Sequence, residues 1–391
     1  MYKNPDLKGE KKKKEQKISI VDLGYNSAKI SIYCVYKNGH YSKINQQQEY
    51  IQIGHNLAKN NNVIESQNTA KVVKFLNNFK DESKQMKIGT VIPIATSAIR
   101  DAINGKEVVK KIKKSTGFEF NVLSGFEEGF FSYLGAQSVM HIPNGIFFDL
   151  GGGSIELIHV ENFIIKKIVC LNLGTLRLND SFVKFNGKLE EESNYRQLKD
   201  YIYRNIPTLE QLDLDLSVNN KLIGIGGTIR TLYKFMSGIF KTSSSFSYNH
   251  IVLSKKMIDL SNNIFKDLSQ QELLSIKLID PQRSKTIPTG SFIIKVLMEK
   301  LGFDRVMVCP SGLREGIIEN YLYLNMDKKY RLKKKFIELN YTSLSYVMHS
   351  NYNRPLFRAE IRSFPAQGVL PEQYREDFPL KINISKLNKI N

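Results

Sequence analysis

Tryptophan is absent from the 391 residues, cysteine occurs three times and histidine six, and acidic side chains are outnumbered 38 to 57 by basic ones. Cys34, Cys170 and Cys309 are isolated and odd in number, so neither a disulfide framework nor a Cys-x-x-Cys pair is available. The six histidines form no HExxH or other ligand spacing, which excludes the common zinc hydrolases and argues against a histidine phosphoenzyme. No GxSxG elbow, Walker loop or trustworthy GxGxxG fingerprint occurs. No apolar run reaches the roughly 18 residues of a membrane-spanning helix. The opening MYKNPDLKGEKKKKEQK has no apolar signal core, and with the scarce cysteines it sets the expected compartment as a reducing cytoplasm.

What is present suffices for two domains with sizeable cores. The net charge of +19 creates a field that draws polyanions: nucleic acid, acidic membrane or a phosphate chain. Part of the excess lies in Lys11–Lys14 and in KKYRLKKK from Lys328, and plain solvated lysine explains that part equally well.

The main organisational signal is an echo. VDLG at Val21–Gly24 and FDLG at Phe148–Gly151 each follow an apolar run and precede a second alternating one, as in a strand, tight turn and strand. The echo predicts two α/β units of one plan facing each other across a cleft. The expected boundaries are a disordered basic arm at 1–16, a first domain at 17–125 with 302–326 packing back on it, a second domain at 126–301, and an extension at 327–391. Helices are expected over 69–82, over DAINGKEVVKKIKKSTG closed by Gly117, over FEEGFFSYLGAQSVM, and through most of 254–301.

The candidate chemistry gathers at the glycine turns. In DLGGGS, Gly151, Gly152 and Gly153 let backbone N–H groups approach an oxyanion without a Cβ in the way, and Ser154 adds a hydroxyl. Asp149 repels phosphate but suits Mg²⁺, which takes hard oxygen ligands; Asp22 in DLGYNS offers the same from the other half. Gly226 and Gly227 in GIGGT precede a helix for which Thr228 is the expected N-cap, and helix N-termini favour anions. Arg100 in ATSAIRDA can fork onto phosphate oxygens or lie on a helix surface. Adjacent helical residues point about 100° apart, so only one of Glu127 and Glu128 can face a given site. Glu156 falls on the same side of its strand as Ser154.

In order, VDLGYNS, ATSAIRDA, VLSGFEEG, FFDLGGGSIEL, GIGGT and SGLREG resemble the exopolyphosphatase/guanosine pentaphosphatase phosphatases, within the actin-like ATPase superfamily. The resemblance covers about residues 17–322. It implies two ribonuclease-H-like domains around a phosphate cleft. It also implies Glu128 as the base that activates water, Glu156 as supporting carboxylate, and Asp22 and Asp149 as ligands of Mg²⁺, with Mn²⁺ the alternative metal. Asn26, Ser27, Arg100, Gly151, Gly152, Ser154, Gly226, Gly227 and Thr228 would hold phosphate. Tyr25 stands where the family usually has a small serine, so the mouth of the first turn is expected to differ.

The function so implied is a phosphoric anhydride hydrolase removing terminal phosphate from inorganic polyphosphate, with guanosine pentaphosphate as the alternative substrate. A non-catalytic actin-like nucleotide-binding protein and a sugar or acetate kinase are the other classes that glycine turns admit; the SGFEEG carboxylate favours an enzyme. No membrane and no specific nucleic acid partner is expected, and a homodimer is in keeping with the family.

Overall fold

The computed structural model describes residues 15–182, 192–240, 251–325, 340 and 359–360. Its first sheet grows from the apolar hairpin read at the start of the sequence. β1 (Gln16–Leu23) pairs antiparallel with β2 (Ala28–Val35), and β3 (Tyr41–Glu49) continues on β2. β4 (Thr90–Ala95) lies parallel to β1, with β5 (Asn121–Val122) beyond it. The second sheet repeats this plan. β6 (Gly145–Leu150) pairs antiparallel with β7 (Ile155–Glu161), which carries β8 (Ile164–Leu171), while β9 (Leu222–Ile225) runs parallel to β6. β10 (Val252–Ser254), β11 (Arg305–Val308) and β12 (Ala359–Glu360) complete the order β10-β11-β9-β6-β7-β8-β12.

The repetition extends to register. Asp22 stands opposite Lys29 and beside Ile94, while Asp149 stands opposite Glu156 and beside Ile225. Two α/β domains of one plan therefore face each other, as the echo and the ribonuclease-H-like resemblance predict.

Between them lies a shared core. The helix Gly125–Met140 is apolar around its whole circumference, as a helix buried on every side must be, and Phe130, Phe131, Tyr133 and Leu134 are each at most 1 % exposed. They pack with Ile18 and Ile20 of the first sheet, with Phe147 and Ile158 of the second, and with Ile317 and Ile318 of the helix Leu313–Asn325. The two helices cross at glycines: a Cβ on Gly316 would overlap the Phe131 carbonyl, and one on Gly135 the Gly312 carbonyl. Burying one such aromatic side chain contributes about 1.5–3 kcal/mol, so this helix pair anchors both halves.

Residues 302–326 do not return together to the first domain as expected. β11 joins the second sheet between β10 and β9, where it prolongs the parallel run of β9, and only the following helix reaches β1. The stretch read as one helix from Asp101 breaks into Ser97–Asp101 and Gly105–Thr116, the second closed by Gly117 at φ 84° as predicted. Among the described residues no helix is long and apolar enough to cross a membrane. The arm at 1–16, apart from its last two residues, and the extension at 327–391, apart from Asn340 and β12, lie outside the described residues.

Candidate active site

The two echoed turns meet at the cleft, and their backbones are built alike. Gly24 N–H donates to Ser27 O at 3.1 Å, and Gly151 N–H to Ser154 O at 3.0 Å. Each turn is then strapped by a later segment: Gln52 and Gly54 donate to Asn26 and Tyr25, while Thr175 and Leu176 donate to Gly151 and Gly152. Satisfying these turn carbonyls from behind fixes the turns and leaves their inner faces for a ligand.

Of the predicted site residues, Asp22, Asn26, Ser27, Glu128, Asp149, Gly151, Gly152, Gly226, Gly227 and Thr228 line one pocket. Glu128 reaches it through local chemistry. Ser124 caps the helix Gly125–Met140 in a capping box, accepting from Glu127 N–H at 3.2 Å while its own N–H donates to Glu127 Oε2 at 2.7 Å. That box occupies Glu127 and leaves its neighbour, about 100° further round, to face the cleft. Thr228 lines the pocket from inside a helix and is not its cap; the cap is Gly226, at φ 106°, where a Cβ would sit 3.0 Å from Asp149 Oδ1 and Leu150 O. Crowding by the neighbouring turn thus selects glycine at the helix entry.

Three predicted residues stand behind the pocket wall. Ser154 and Glu156 are each 1 % exposed, against 8 % for Glu128. Arg100, expected to fork onto phosphate, instead donates through Nη1 to Glu128 Oε2 at 2.8 Å and to Leu123 O at 3.1 Å. Its Nη1 edge is thus given to the carboxylate, and Arg100 is not among the residues that line the pocket.

The acids form an electrostatic ladder. Burial pushes the Glu128 carboxyl up to about 7, against the opposing pull of Arg100. Burial and then the Glu128 charge push Glu156 well above the ordinary carboxylate range. Burial also raises Asp149, although Ser132 Oγ donates to it at 2.5 Å. Facing these acids are cations that sequence reading passed over: Lys29, Arg230, Arg283 and Arg314 all line the pocket. Burial, then the charge of Arg314, pulls Lys29 down to about 8. Arg314 Nη1 is buried without a hydrogen-bond partner, a donor that an entering anion satisfies. Lys29 was legible from the hairpin, which places it across from Asp22, and Arg314 sits in the SGLREG string; Arg283 comes from the short turn Pro281–Arg283, which carries no local signature.

Tyr25 does not project freely at the mouth. Its ring is 3 % exposed, packed against Gly54 and Gly153, with the Arg177 guanidinium 5.1 Å over its centre. Arg177 also donates to Gly153 O at 2.7 Å and pairs with Asp101 of the first domain. The aromatic side chain therefore rivets the two halves beside the cleft.

Among the described residues no group of three His, Cys, Asp or Glu makes a ready metal cage. The donors do fit Mg²⁺ in another mode: one or two carboxylates, with waters and substrate phosphate oxygens completing the octahedron. Asp22 and Asp149, at matching strand ends on one pocket, are the carboxylates placed to be that pair.

Against known proteins, residues 34–324 match the model of the Ppx/GppA phosphatase family. A bifunctional 3-dehydroquinate synthase/phosphatase of Fusobacterium nucleatum subsp. nucleatum is 28 % identical over 309 residues, 76 % of this chain but 45 % of that protein. The chain thus spans less than half the length of that relative. Exopolyphosphatase 1 of Mycobacterium leprae is 21 % identical over 77 % of this chain and 88 % of its own length. A crystal structure of an exopolyphosphatase from Cytophaga hutchinsonii superposes with a TM-score of 0.70 at 20 % identity, covering 78 % of this chain and 98 % of that one.

Proposed function

The chain belongs to the Ppx/GppA phosphatase family, and from that premise we propose that it is a phosphoric anhydride hydrolase, an exopolyphosphatase acting on the end of inorganic polyphosphate. The observation that carries this reading is Glu128: a carboxylate pushed up to about 7 by burial, reaching a pocket where glycine turns and four cations stand beside Asp22 and Asp149. A general base works best when its pKa lies near the operating pH. Water gives a proton to Glu128 as its oxygen attacks the terminal phosphorus; the bond from that phosphorus to the bridging oxygen breaks, and orthophosphate leaves a chain one unit shorter.

Arg100 holds Glu128 from behind, so the base keeps its aim without a ligand in place. Lys29, Arg230, Arg283 and Arg314 take the negative charge of the chain, and the backbone N–H groups of Gly152 and Gly227 are left for its oxygens. Asp22 and Asp149 would hold Mg²⁺, which when bound would supply further neutralisation of charge on the phosphoryl group.

Orthophosphate release from polyphosphates of several lengths and from guanosine pentaphosphate, with and without Mg²⁺, tests the reading. Release from polyphosphate that requires the metal is expected. Release from the nucleotide alone moves the substrate to guanosine pentaphosphate, and phosphate appearing only on an organic acceptor replaces the hydrolase with a kinase.

A further inference from the structure

β8 places Cys170 directly opposite Glu156 of β7. The Cys170 thiol donates to Glu156 Oε1 at 3.2 Å. Arg100 Nη2 reaches the same sulfur at 3.6 Å, while Nη1 of that guanidinium holds Glu128 at 2.8 Å. The sulfur also lies under the entrance of the helix that carries Glu128: a Cβ on Gly125 would collide with Cys170 Cβ and Sγ. One side chain therefore touches the guanidinium, the buried acid and the floor of the helix start.

A cysteine inside a fold commonly fills space as a small hydrophobe, but Cys170 is half-buried and turned toward two charged partners. The reason for that arrangement lies in Arg100. Glu128 and Glu156 are both close enough to stabilise its charge, so the two carboxylates compete for one guanidinium. A thiol that donates to Glu156 while accepting from Arg100 Nη2 stands between the guanidinium and that acid and reduces the competition.

We propose that Cys170 is a positioning residue for the hydrolysis: its S–H satisfies Glu156, which leaves the Nη1 edge of Arg100 to Glu128 and keeps the water-activating carboxylate directed into the pocket. The inference rests on the assignment of Glu128 as base. Burial, then the charge of Glu156, raises the thiol above its ordinary range, so the sulfur retains the proton it donates at neutral pH.

The test is steady-state kinetics of the full chain carrying Cys170→Ala, Cys170→Ser, Glu156→Gln, or Glu156→Gln with Cys170→Ala, on polyphosphate with Mg²⁺ beside the wild type. Cys170→Ala is expected to lower kcat by about tenfold while KM stays within about twofold. Cys170→Ser, which keeps a donor, is expected to recover to within about threefold of wild type. Adding Cys170→Ala to Glu156→Gln is expected to cost nothing further, because the two residues act through one contact. Equal kcat in Cys170→Ala and wild type overturns the proposal, as does a Cys170→Ser enzyme that turns over as slowly as the alanine variant. Should the alanine variant fail to fold, the serine variant decides alone: kcat near wild type supports the proposal, and a tenfold fall overturns it. An inactive wild type removes the functional reading and this inference together, whereas an active wild type indifferent to the sulfur removes only the inference.

Discussion

Across from Asp22 on β2 stands Lys29; across from Asp149 on β7, at the matching place in the second sheet, stands Glu156. The turns that follow the two aspartates close with the same backbone hydrogen bond, and both aspartates line the cleft. One register position thus separates the halves. In the first, a cation faces the pocket and burial pulls it down to about 8. In the second, an acid sits behind the wall, pushed up by burial and by Glu128. The repeated plan thus carries a cation at the strand partner in one half and an acid in the other; under the proposed function, the first half holds the phosphate chain and the second handles the proton.

That division is open to attack at both ends. The largest effect is expected from Glu128→Gln: turnover falls by on the order of 10²-fold or more with binding nearly intact, since the amide keeps the shape and loses the base. Single-turnover phosphate release beside equilibrium binding checks it.

The pH profile sharpens the comparison, because the halves report on opposite sides of neutrality. Glu128 acts as a carboxylate, so kcat is expected to fall about tenfold per unit as pH drops below its value near 7. Lys29 acts as a cation, so kcat/KM is expected to fall as pH rises through about 8. Lys29→Arg keeps its charge at every accessible pH and is expected to abolish the alkaline limb while leaving the acid limb in place.

Lys29→Met is expected to raise KM for polyphosphate by about five- to tenfold, roughly 1–1.4 kcal/mol of binding, with kcat within about twofold. Its affinity is also expected to depend less on salt, because one fewer cation displaces counterions. A titration of phosphate release against salt and substrate reads both.

The smallest effect concerns stability. Because burial raises Glu128 against the pull of Arg100, and burial with the Glu128 charge raises Glu156, the native state binds more protons than the unfolded chain at pH values above the ordinary carboxylate range. Stability is therefore lost as pH rises through the raised values. Glu156→Gln removes one of the two repelling acids and is expected to raise the melting midpoint at pH 8 by roughly 2–4 °C, the shift of ~1 kcal/mol in a domain of this size; at pH 5 the gain is expected to vanish.

What could be read from the sequence follows from how local each signal is. The hairpins, the glycine turns and the C-cap at Gly117 depend on neighbours within a few residues, and β-branched runs bounded by glycine announce them. Assigning Glu128 over Glu127 came from resemblance, yet the S-x-x-E spacing of Ser124 and Glu127 already marked a capping box. Arg100 was misplaced because its partner is chosen by the packing of the first domain on the helix start, contacts separated by 23 and 28 residues. Thr228 looked like a cap because threonine is a good one, and only the crowding at Gly226 shows why glycine holds that place. Residues 302–326 were expected on the first domain, yet β11 pairs parallel with β9 in the second sheet, a non-local pairing that the short RVMV segment does not announce.

The most direct test is a single side-by-side measurement of polyphosphate binding and orthophosphate release by Glu128→Gln and Lys29→Met, with Mg²⁺ at neutral pH. The account predicts opposite losses: the glutamate variant binds like wild type and barely releases phosphate, while the lysine variant binds weakly and releases phosphate at near wild-type rate once saturated. If both substitutions depress the same quantity, or if the glutamate variant turns over unimpaired, the two halves do not divide the work in this way.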